Sequence, residues 1–308
     1  MIVITTLAEK SYFYGVSALI NSIVKNGTYA DKIIVGYRGD LPKWLPKLES
    51  NNRGKFWLSE TRLLIEFIEL EGDLHMVHEK PKWFHFLTYN LEPDADEYFF
   101  FDSDIIVINR MSFFGEWVKQ GVAICEDVNY DMGVSHPIRK QWVNLSEENG
   151  RPIVNNLDRY YNSGFLGWTR KTKQFINDWN ECSKIMNKIS GDLKKFRVHD
   201  RTHVVLSSNQ DSLNLAAMTT KCELSIIGPE AMGFRYGFNL MLHPLGKKPW
   251  ELNFTQMYLK GIKPRDGDLG FWKHVNLGFL KPYSNSLVFL KLFWIGLYRF
   301  LFRFYGAK

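Results

Sequence analysis

The sequence predicts an α/β fold with a parallel sheet, and three observations near the N-terminus support this class. Residues 1–6 are apolar and are predicted to form a buried strand, and residues 32–37 form a second short apolar strand. Between them, residues 14–23 carry apolar side chains at helical spacing. A strand, a helix and a strand in succession favour parallel pairing. With 308 residues, of which 45% are hydrophobic, the chain can bury one large core.

The central predicted element is an apolar strand at 97–101. Asp102-Ser103-Asp104 interrupts it, and residues 105–108 resume the apolar character. The other predicted elements are strands at 64–70, 122–125 and 160–168, and helices at 81–91, 171–188 and 210–218.

Composition and motifs exclude several classes of function. The chain carries a formal charge of +6, but no recognisable nucleic-acid-binding module accompanies it, so no nucleic acid partner is expected. The motifs of P-loop kinases, dinucleotide-binding dehydrogenases and α/β hydrolases do not occur in the sequence. Three cysteines match neither a zinc site nor a disulfide framework, and the first residues do not form a signal peptide, so we expect a cytoplasmic protein.

Asp102-Ser103-Asp104 is the first candidate site. In an extended chain, residues two apart face the same side, so Asp102 and Asp104 are expected to direct both carboxylates at one point while Ser103 faces away. Carboxylate oxygens suit Mg²⁺ or Mn²⁺, and such a cation offsets the cost of burying two acids between apolar segments. The alternative is a turn without a ligand, because Asp and Ser are common turn residues.

Three later segments complete a pattern that begins with the triplet. Residues 160–166 have the sequence YYNSGFL, residues 208–214 have SNQDSLN, and residues 243–250 have HPLGKKPW. In this order the segments resemble glycosyltransferase family 8, whose members are retaining enzymes with the GT-A fold and include bacterial lipopolysaccharide and lipooligosaccharide hexosyltransferases. The resemblance is piecewise over residues 1–283, and HPLGKKPW is its most specific part.

The resemblance implies a GT-A-like fold, in which a Rossmann-like mixed sheet is flanked by helices. It also implies a nucleotide-sugar donor, expected to be a UDP-hexose, and Mn²⁺ or Mg²⁺ as cofactor. By this resemblance His243 is the third metal ligand beside Asp102 and Asp104. Gly246 and Lys248 are expected to contact the diphosphate. The other implied site residues are Thr6 and Tyr12 at the nucleotide, Asn162, Gln210 and Asp211 as catalytic residues, and Ser103 in the donor-binding set. Asp127, which follows a predicted strand, is expected to bind the donor sugar as well. The alternatives are a strand bulge at Asn162 and a strand-ending turn at Asp127.

The chain departs from the family pattern at several positions. Asn209 stands where the family segment begins with an acid. Phe86 stands where the preceding helix normally has a basic residue, and Lys82, one turn earlier, is its expected substitute at the donor. His274 begins a second segment similar to the histidine motif, but Trp250 completes the motif only after His243.

A histidine group provides an alternative metal site. His75, His78 and His85 lie close in the sequence, but they lack a clear helical spacing and a fitting carboxylate. Core or surface histidines are the simpler interpretation of all three.

A change in composition predicts a boundary, with a GT-A-like domain at 1–282 and a tail at 283–308. The tail is aromatic, aliphatic and basic, and residues 287–304 would form an amphipathic helix roughly 27 Å long. Lys291, Arg299 and Arg303 are costly near a membrane centre, so we expect this helix to lie on an anionic membrane surface at the inner face. The alternatives are a docking helix for another subunit and a part of the domain's own surface.

The sequence therefore predicts a metal-dependent retaining hexosyltransferase that acts on a glycan or lipid-linked acceptor. Two alternatives stay open. An inverting GT-A transferase would need a carboxylate base near the acceptor, and a non-catalytic protein would bind the nucleotide sugar without turnover.

Overall fold

A nine-stranded mixed sheet flanked by helices forms the centre of the computed structural model, which describes residues 1–51, 54–58, 63–129, 132–198, 200 and 202–304. The strands are β1 (Ile2–Glu9), β2 (Lys32–Arg38), β3 (Glu49–Ser50), β4 (Phe56–Leu58), β5 (Leu64–Glu69), β6 (Glu97–Phe101), β7 (Ile106–Val107), β8 (Val122–Glu126), β9 (Tyr161–Thr169), β10 (Leu224–Ile227) and β11 (Met241–Leu242). The helices are α1 (Phe13–Lys25), α2 (Lys80–Phe86), α3 (Met111–Val118), α4 (Pro137–Glu148), α5 (Gln174–Asn187), α6 (Ser208–Thr219), α7 (Phe254–Leu259), α8 (Asp266–His274) and α9 (Asn285–Leu301).

The strand order in the large sheet is β10-β8-β9-β6-β1-β2-β5-β4-β3. The central strands β6, β1, β2 and β5 are parallel, as the strand-helix-strand pattern predicts. Strand β9 runs antiparallel between β6 and β8, and β4 runs antiparallel to both β5 and β3. The sheet is therefore mixed. Strands β7 and β11 form a separate antiparallel pair.

Strand β6 shows how the sheet divides the core. Successive side chains of a strand point to opposite faces. Tyr98 and Phe100 accordingly pack in one apolar cluster, which contains Trp168 and Trp179, whereas Phe99 and Phe101 pack in the other. Because both faces are buried, the strand is apolar at every position after its first residue.

The predicted helices and strands of the large sheet are present, but four helices were not predicted. These are α3, α4, α7 and α8. Helix α8 contains Gly267 and Gly270, each of which costs about 1 kcal/mol relative to alanine in a helix interior. A Cβ atom at Gly270 would lie 2.8 Å from a methyl group of Leu242, and one at Gly267 would lie 3.0 Å from Pro244. Close packing against Leu242 and Pro244 thus requires glycine at these two positions, and the same glycines make the helix hard to predict from the sequence.

The C-terminal helix α9 begins after Ser284, whose hydroxyl accepts a hydrogen bond from the N–H of Leu287 at 3.3 Å. It packs on the rest of the protein through Ile295 and Tyr298, and the Tyr298 hydroxyl donates to Thr255 Oγ1 at 3.0 Å. The predicted boundary at residue 283 thus falls at the start of this helix, while residues 305–308 of the predicted tail lie outside the described residues. In the described chain, none of the helices has the length and apolar character needed to cross a membrane.

Candidate metal and donor site

The aspartate triplet lies in a tight turn directly after β6. The N–H of Ile105 donates to the carbonyl of Asp102 at 2.9 Å, and the N–H of Asp102 donates to the carbonyl of Gly164 on β9 at 2.7 Å. The expected extended geometry is therefore wrong, because the chain turns as soon as the strand ends. The expectation that Ser103 faces away is also wrong, since Ser103 is buried and lines the same cleft as Asp102 and Asp104.

His243 reaches the triplet through the small sheet. Leu242 on β11 pairs with Ile106 on β7, so the next residue, His243, lies beside Asp104. The imidazole Nε2 is 3.4 Å from Asp104 Oδ1 and 3.9 Å from Asp102 Oδ2. Ligand atoms of these three side chains all lie within 4.8 Å of one another, and the described part of the chain contains no second group of this kind.

Gly164 leaves the space into which the imidazole packs. A Cβ atom at this position would lie 2.7 Å from His243 Cε1 and 2.8 Å from Asn162 Oδ1, which is closer than real Cβ contacts. The ring of Phe234 packs against the imidazole with the centroids 5.6 Å apart. The Nδ1 atom of His243 is buried and has no hydrogen-bond partner among the described residues. Packing therefore orients this side chain.

Two lysines pair with the two aspartates. Lys248 Nζ lies 2.5 Å from Asp104 Oδ2, and Lys80 Nζ lies 2.7 Å from Asp102 Oδ1. Burial of the Asp104 carboxyl disfavours its charge, but Lys248 and His243 outweigh this effect and hold the pKa of Asp104 well below its usual range. The two carboxylates and two ammonium groups cancel in formal charge.

Lys80 is the basic residue of α2 that reaches the site, and it replaces the predicted Lys82. Lys80 is buried and also donates to the carbonyl of Ser163 at 2.9 Å. Lys82 is exposed and lies outside the cleft lining. The two lysines flank Pro81 and therefore point in different directions around the helix. Both are lysines of one predicted helix region, so only the orientation of the helix decides which of them reaches the cleft.

Asp127, Asn162 and Gln210 form one hydrogen-bonded group on a wall of the cleft. Asn162 Nδ2 donates to Asp127 Oδ2 at 2.5 Å, and Gln210 Nε2 donates to the same oxygen at 3.3 Å. Gln210 Oε1 accepts from the N–H of Ser163 at 3.1 Å. These side chains line a cleft of about 560 Å³ together with Asp102, Asp104 and His243. The structure thus brings most of the predicted site residues together.

Asp211 is an exception among the predicted catalytic residues. It is fully buried and lies outside the cleft lining. Its carboxylate accepts from the Tyr160 hydroxyl at 2.6 Å and from the N–H groups of Leu206 and Ser207 at 2.6 and 2.8 Å. Burial raises the pKa of Asp211 to about 6, against the effect of these hydrogen bonds. The residue therefore holds the loop before α6 in place, and the neighbouring Asn209 lines the cleft instead.

Of the residues predicted to bind the nucleotide and its diphosphate, some line the cleft and one does not. Tyr12 lines the cleft, packs edge-on against Trp250 with centroids 5.6 Å apart, and has Lys248 Nζ 6.0 Å from its ring centroid. Gly246 also lines the cleft, with φ of +73° and open space where a Cβ would lie. Thr6 is fully buried on β1 and lies outside the lining, so the structure does not bring it to the cleft and its contact with the nucleotide stays a prediction.

Among the described residues, no other histidine belongs to a group of possible metal ligands like Asp102, Asp104 and His243. His274 Nδ1 is 2.8 Å from the carbonyl of Gly270 within α8, and burial lowers its pKa. His78 Nε2 is 2.9 Å from the carbonyl of Lys195. His75 lines the cleft, where its ring packs against the exposed Phe196 with centroids 5.5 Å apart. Phe196 and the adjacent Arg197 also line this part of the cleft and were missed, because no sequence motif marks the loop that carries them.

Comparison with known proteins does not assign the chain to a family. No protein-family model matches the sequence, and no curated protein matches it significantly. The function has to be inferred from the geometry and chemistry of the site.

Replacing Gly164 with Ala is expected to displace the His243 imidazole. The added methyl group would lie 2.7 Å from the ring. We expect Mn²⁺ affinity, measured by calorimetric titration, to fall by about 10- to 100-fold while the circular dichroism spectrum is unchanged. Gly296→Ala in α9 is the matched control, because no atom lies within 4 Å of its Cβ position. A folded Gly164→Ala protein with wild-type Mn²⁺ affinity would contradict the role of His243 as a metal ligand.

The Asp211 carboxyl is expected to give a pH-dependent contribution to stability. Its folded pKa of about 6 is above the ordinary 3.8, so in this window the folded state retains a proton that the unfolded state has lost. The contribution is complete below pH 3.8 and is lost as the pH rises to about 6. In urea unfolding between pH 4 and 7, the stability difference between wild type and Asp211→Asn should fall by about 1–3 kcal/mol. Asp40→Asn, at an exposed position, serves as control, and a constant difference would refute the expectation.

Proposed function

We propose that the chain is a metal-dependent retaining glycosyltransferase with a GT-A-like fold. It would move a hexose from a nucleotide sugar, expected to be a UDP-hexose, to a hydroxyl group of a glycan or lipid-linked acceptor. The observation that carries the proposal is the convergence of Asp102, Asp104 and His243 in one cleft, with Lys248 at 2.5 Å from Asp104. No nucleic acid is proposed as a partner.

The chemistry of the three ligands fits a divalent cation. Two carboxylates and one imidazole suit Mn²⁺ somewhat better than Mg²⁺. His243 offers Nε2 on the side of the carboxylates. When bound there, the cation would supply a Lewis acid for the leaving diphosphate. The cleft leaves room beside the ligands for a donor, because its volume of about 560 Å³ lies within the range typical of small-molecule sites.

The lysines would bind the diphosphate. Lys248 Nζ contacts Asp104 and, at 3.4 Å, the carbonyl of Pro244. These contacts hold the ammonium in the cleft, where it would also bind a phosphate oxygen. Its charge would neutralise the negative charge that grows on the leaving group. Lys80 is held by Asp102 and by the Ser163 carbonyl, and would keep the Asp102 carboxylate in position. Tyr12 would border the nucleotide.

The group formed by Asp127, Asn162 and Gln210 would bind the hexose through its amide and carboxylate groups. In the proposed reaction the bond from the anomeric carbon to the diphosphate oxygen breaks, and the acceptor oxygen bonds to that carbon on the same face. The acceptor proton passes to the departing phosphate oxygen. The protein's contribution is to orient the two reactants, because a retaining reaction of this kind requires the acceptor beside the leaving group.

Asp127 supports an inverting transferase as a second candidate. It is a carboxylate on the wall of the cleft, and an inverting reaction needs such a group as general base. Against this role, both neighbouring amides donate to one of its oxygens, Oδ2, and the N–H of Asn129 donates to the other at 2.5 Å. The anomeric configuration of the product, determined by NMR, separates the two candidates.

Removal of a metal ligand should abolish donor turnover. With Mn²⁺ and a panel of nucleotide sugars, we expect the wild type to hydrolyse one donor slowly and Asp104→Ala to lose at least about 100-fold in rate. Asp40→Ala, an exposed aspartate distant in sequence from the site, should retain the wild-type rate. Chelation by EDTA should stop the reaction, and added Mn²⁺ should restore it. Donor binding without hydrolysis or transfer would instead support the non-catalytic alternative.

We also propose that α9 contacts an anionic membrane surface. Phe289, Phe293 and Phe300 are exposed by 72%, 52% and 51%, and Arg303 lies close along the same segment. Aromatic side chains and cations together suit the boundary between lipid and water. This location would bring the cleft to a lipid-linked acceptor at the inner face of the membrane.

Polar replacement of the exposed aromatics should weaken this contact. The double variant Phe289→Ser/Phe293→Ser is expected to bind anionic vesicles at least about tenfold more weakly in sedimentation, since each lost ring removes apolar burial worth about 1.5–3 kcal/mol. Phe86→Ser, at an exposed position of α2, is the control. Equal binding by all three proteins, or none by the wild type, would count against the membrane role.

A further inference from the structure

A second cavity lies beside α9, outside the cleft that contains Asp102, Asp104 and His243. Its volume is about 250 Å³, smaller than the roughly 300–1,000 Å³ of sites for drug-sized ligands. It therefore suits a small polar group better than a whole nucleotide. It lies between the first half of α9, the start of α7 and the segment that links α7 to the histidine motif. The lining residues are Trp250, Glu251, Leu252, Asn253, Phe254, Thr255, Leu290, Lys291 and Trp294.

Lys291 places a positive charge in this cavity. Its ammonium lies 5.5 Å from the ring centroids of both Phe254 and Trp272, and 3.4 Å from the carbonyl of Leu252. None of the described carboxylates forms an ion pair with it, and burial lowers its pKa. Aromatic faces stabilise the ammonium without neutralising it. The cavity thus contains a half-buried cation that can bind an anion.

Glu251 provides the opposite charge in the same lining. Its Oε2 accepts a hydrogen bond from the N–H of Lys248 at 3.2 Å, and the side chain is exposed at the cavity. Trp250 and Trp294 also line the space. Aromatic rings beside a carboxylate are favourable surroundings for an ammonium group. One cation, one anion and two tryptophans therefore match a ligand that carries both charges.

The part of α9 beside the cavity carries exposed apolar side chains. Leu290 is 48% exposed, and Phe293, one turn along the same helix, is 52% exposed. A molecule with its charged end in the cavity would pass along these side chains as it leaves. Two charged side chains in the cavity, together with exposed apolar side chains on α9, fit an amphiphile better than a free sugar or a free phosphate.

We propose that this cavity binds the zwitterionic phosphoamine headgroup of a membrane lipid, with its phosphate at Lys291 and its ammonium at Glu251 and the tryptophan rings. This site is separate from the cleft at Asp102, Asp104 and His243, and the proposed transfer reaction does not require it. Trp250 connects the two sites, because it lines the cavity and packs against Tyr12 of the cleft.

Titration of the full chain with short-chain lipids in monomeric form tests this site. Dihexanoyl phosphatidylethanolamine is expected to bind, with changes in both heat and tryptophan fluorescence. Dihexanoyl phosphatidylglycerol, dihexanoylglycerol and chain-free glycerophosphoethanolamine should each bind at least about tenfold more weakly. The first lacks the ammonium, the second lacks the whole charged headgroup, and the third lacks the acyl chains; tenfold corresponds to about 1.4 kcal/mol.

Variants locate the binding. Lys291→Gln should weaken the phosphatidylethanolamine affinity at least about tenfold, and Trp294→Phe should remove much of the fluorescence change. Lys263→Gln, at an exposed lysine of the α7–α8 connection, should bind as the wild type does. Absence of binding, unchanged affinity in Lys291→Gln, or equal affinity for the two charged lipids would overturn the proposal. Mn²⁺-dependent donor hydrolysis, measured on the same samples, reports separately on the transferase function.

Discussion

Two aspartates at the end of an apolar strand need cations beside them, and this electrostatic constraint organises one end of the molecule. Asp104 is almost fully buried, and a carboxylate in such a place is costly unless it is paired. The pairing groups come from distant parts of the chain: Lys80 from α2, and His243 and Lys248 from the segment after β11. These segments meet at the triplet and form part of the cleft wall.

Strand pairing and glycine residues allow these segments to approach the triplet. The short β7–β11 pair fixes His243 beside Asp104, although it consists of two residues on each strand. Gly164 leaves room for the imidazole on one side of the triplet. On another side of the triplet, α1 packs so closely that a Cβ atom at Gly15 would lie 2.3 Å from the Ser103 carbonyl oxygen. A close-packed turn of this kind holds the carboxylates in fixed positions, which is what a preorganised ion site requires.

The segment after β11 takes part in two sites. Lys248 faces the triplet, Trp250 packs on Tyr12, and the next residues line the cavity beside α9. Helix α9 in turn buries Ile295 and Tyr298 against the protein, while Phe289, Phe293 and Phe300 remain exposed. The cavity beside α9 and the cleft are therefore connected through Trp250, which lines the cavity and packs against a side chain of the cleft.

The sequence by itself determined the α/β class and the central strands, and it singled out Asp102, Asp104 and His243 as candidate metal ligands, because apolar periodicity and short motifs are local signals. The periodicity did not reveal α8, whose glycines are explained only by their contact with Leu242 and Pro244. Tertiary structure also decided which predicted residues reach the cleft. Lys80 and not Lys82 enters it, since the helix turns their side chains in different directions, and Asp211 and Thr6 are buried outside it. Local pattern specifies residue type and element, whereas the direction of a side chain depends on which elements pack around it.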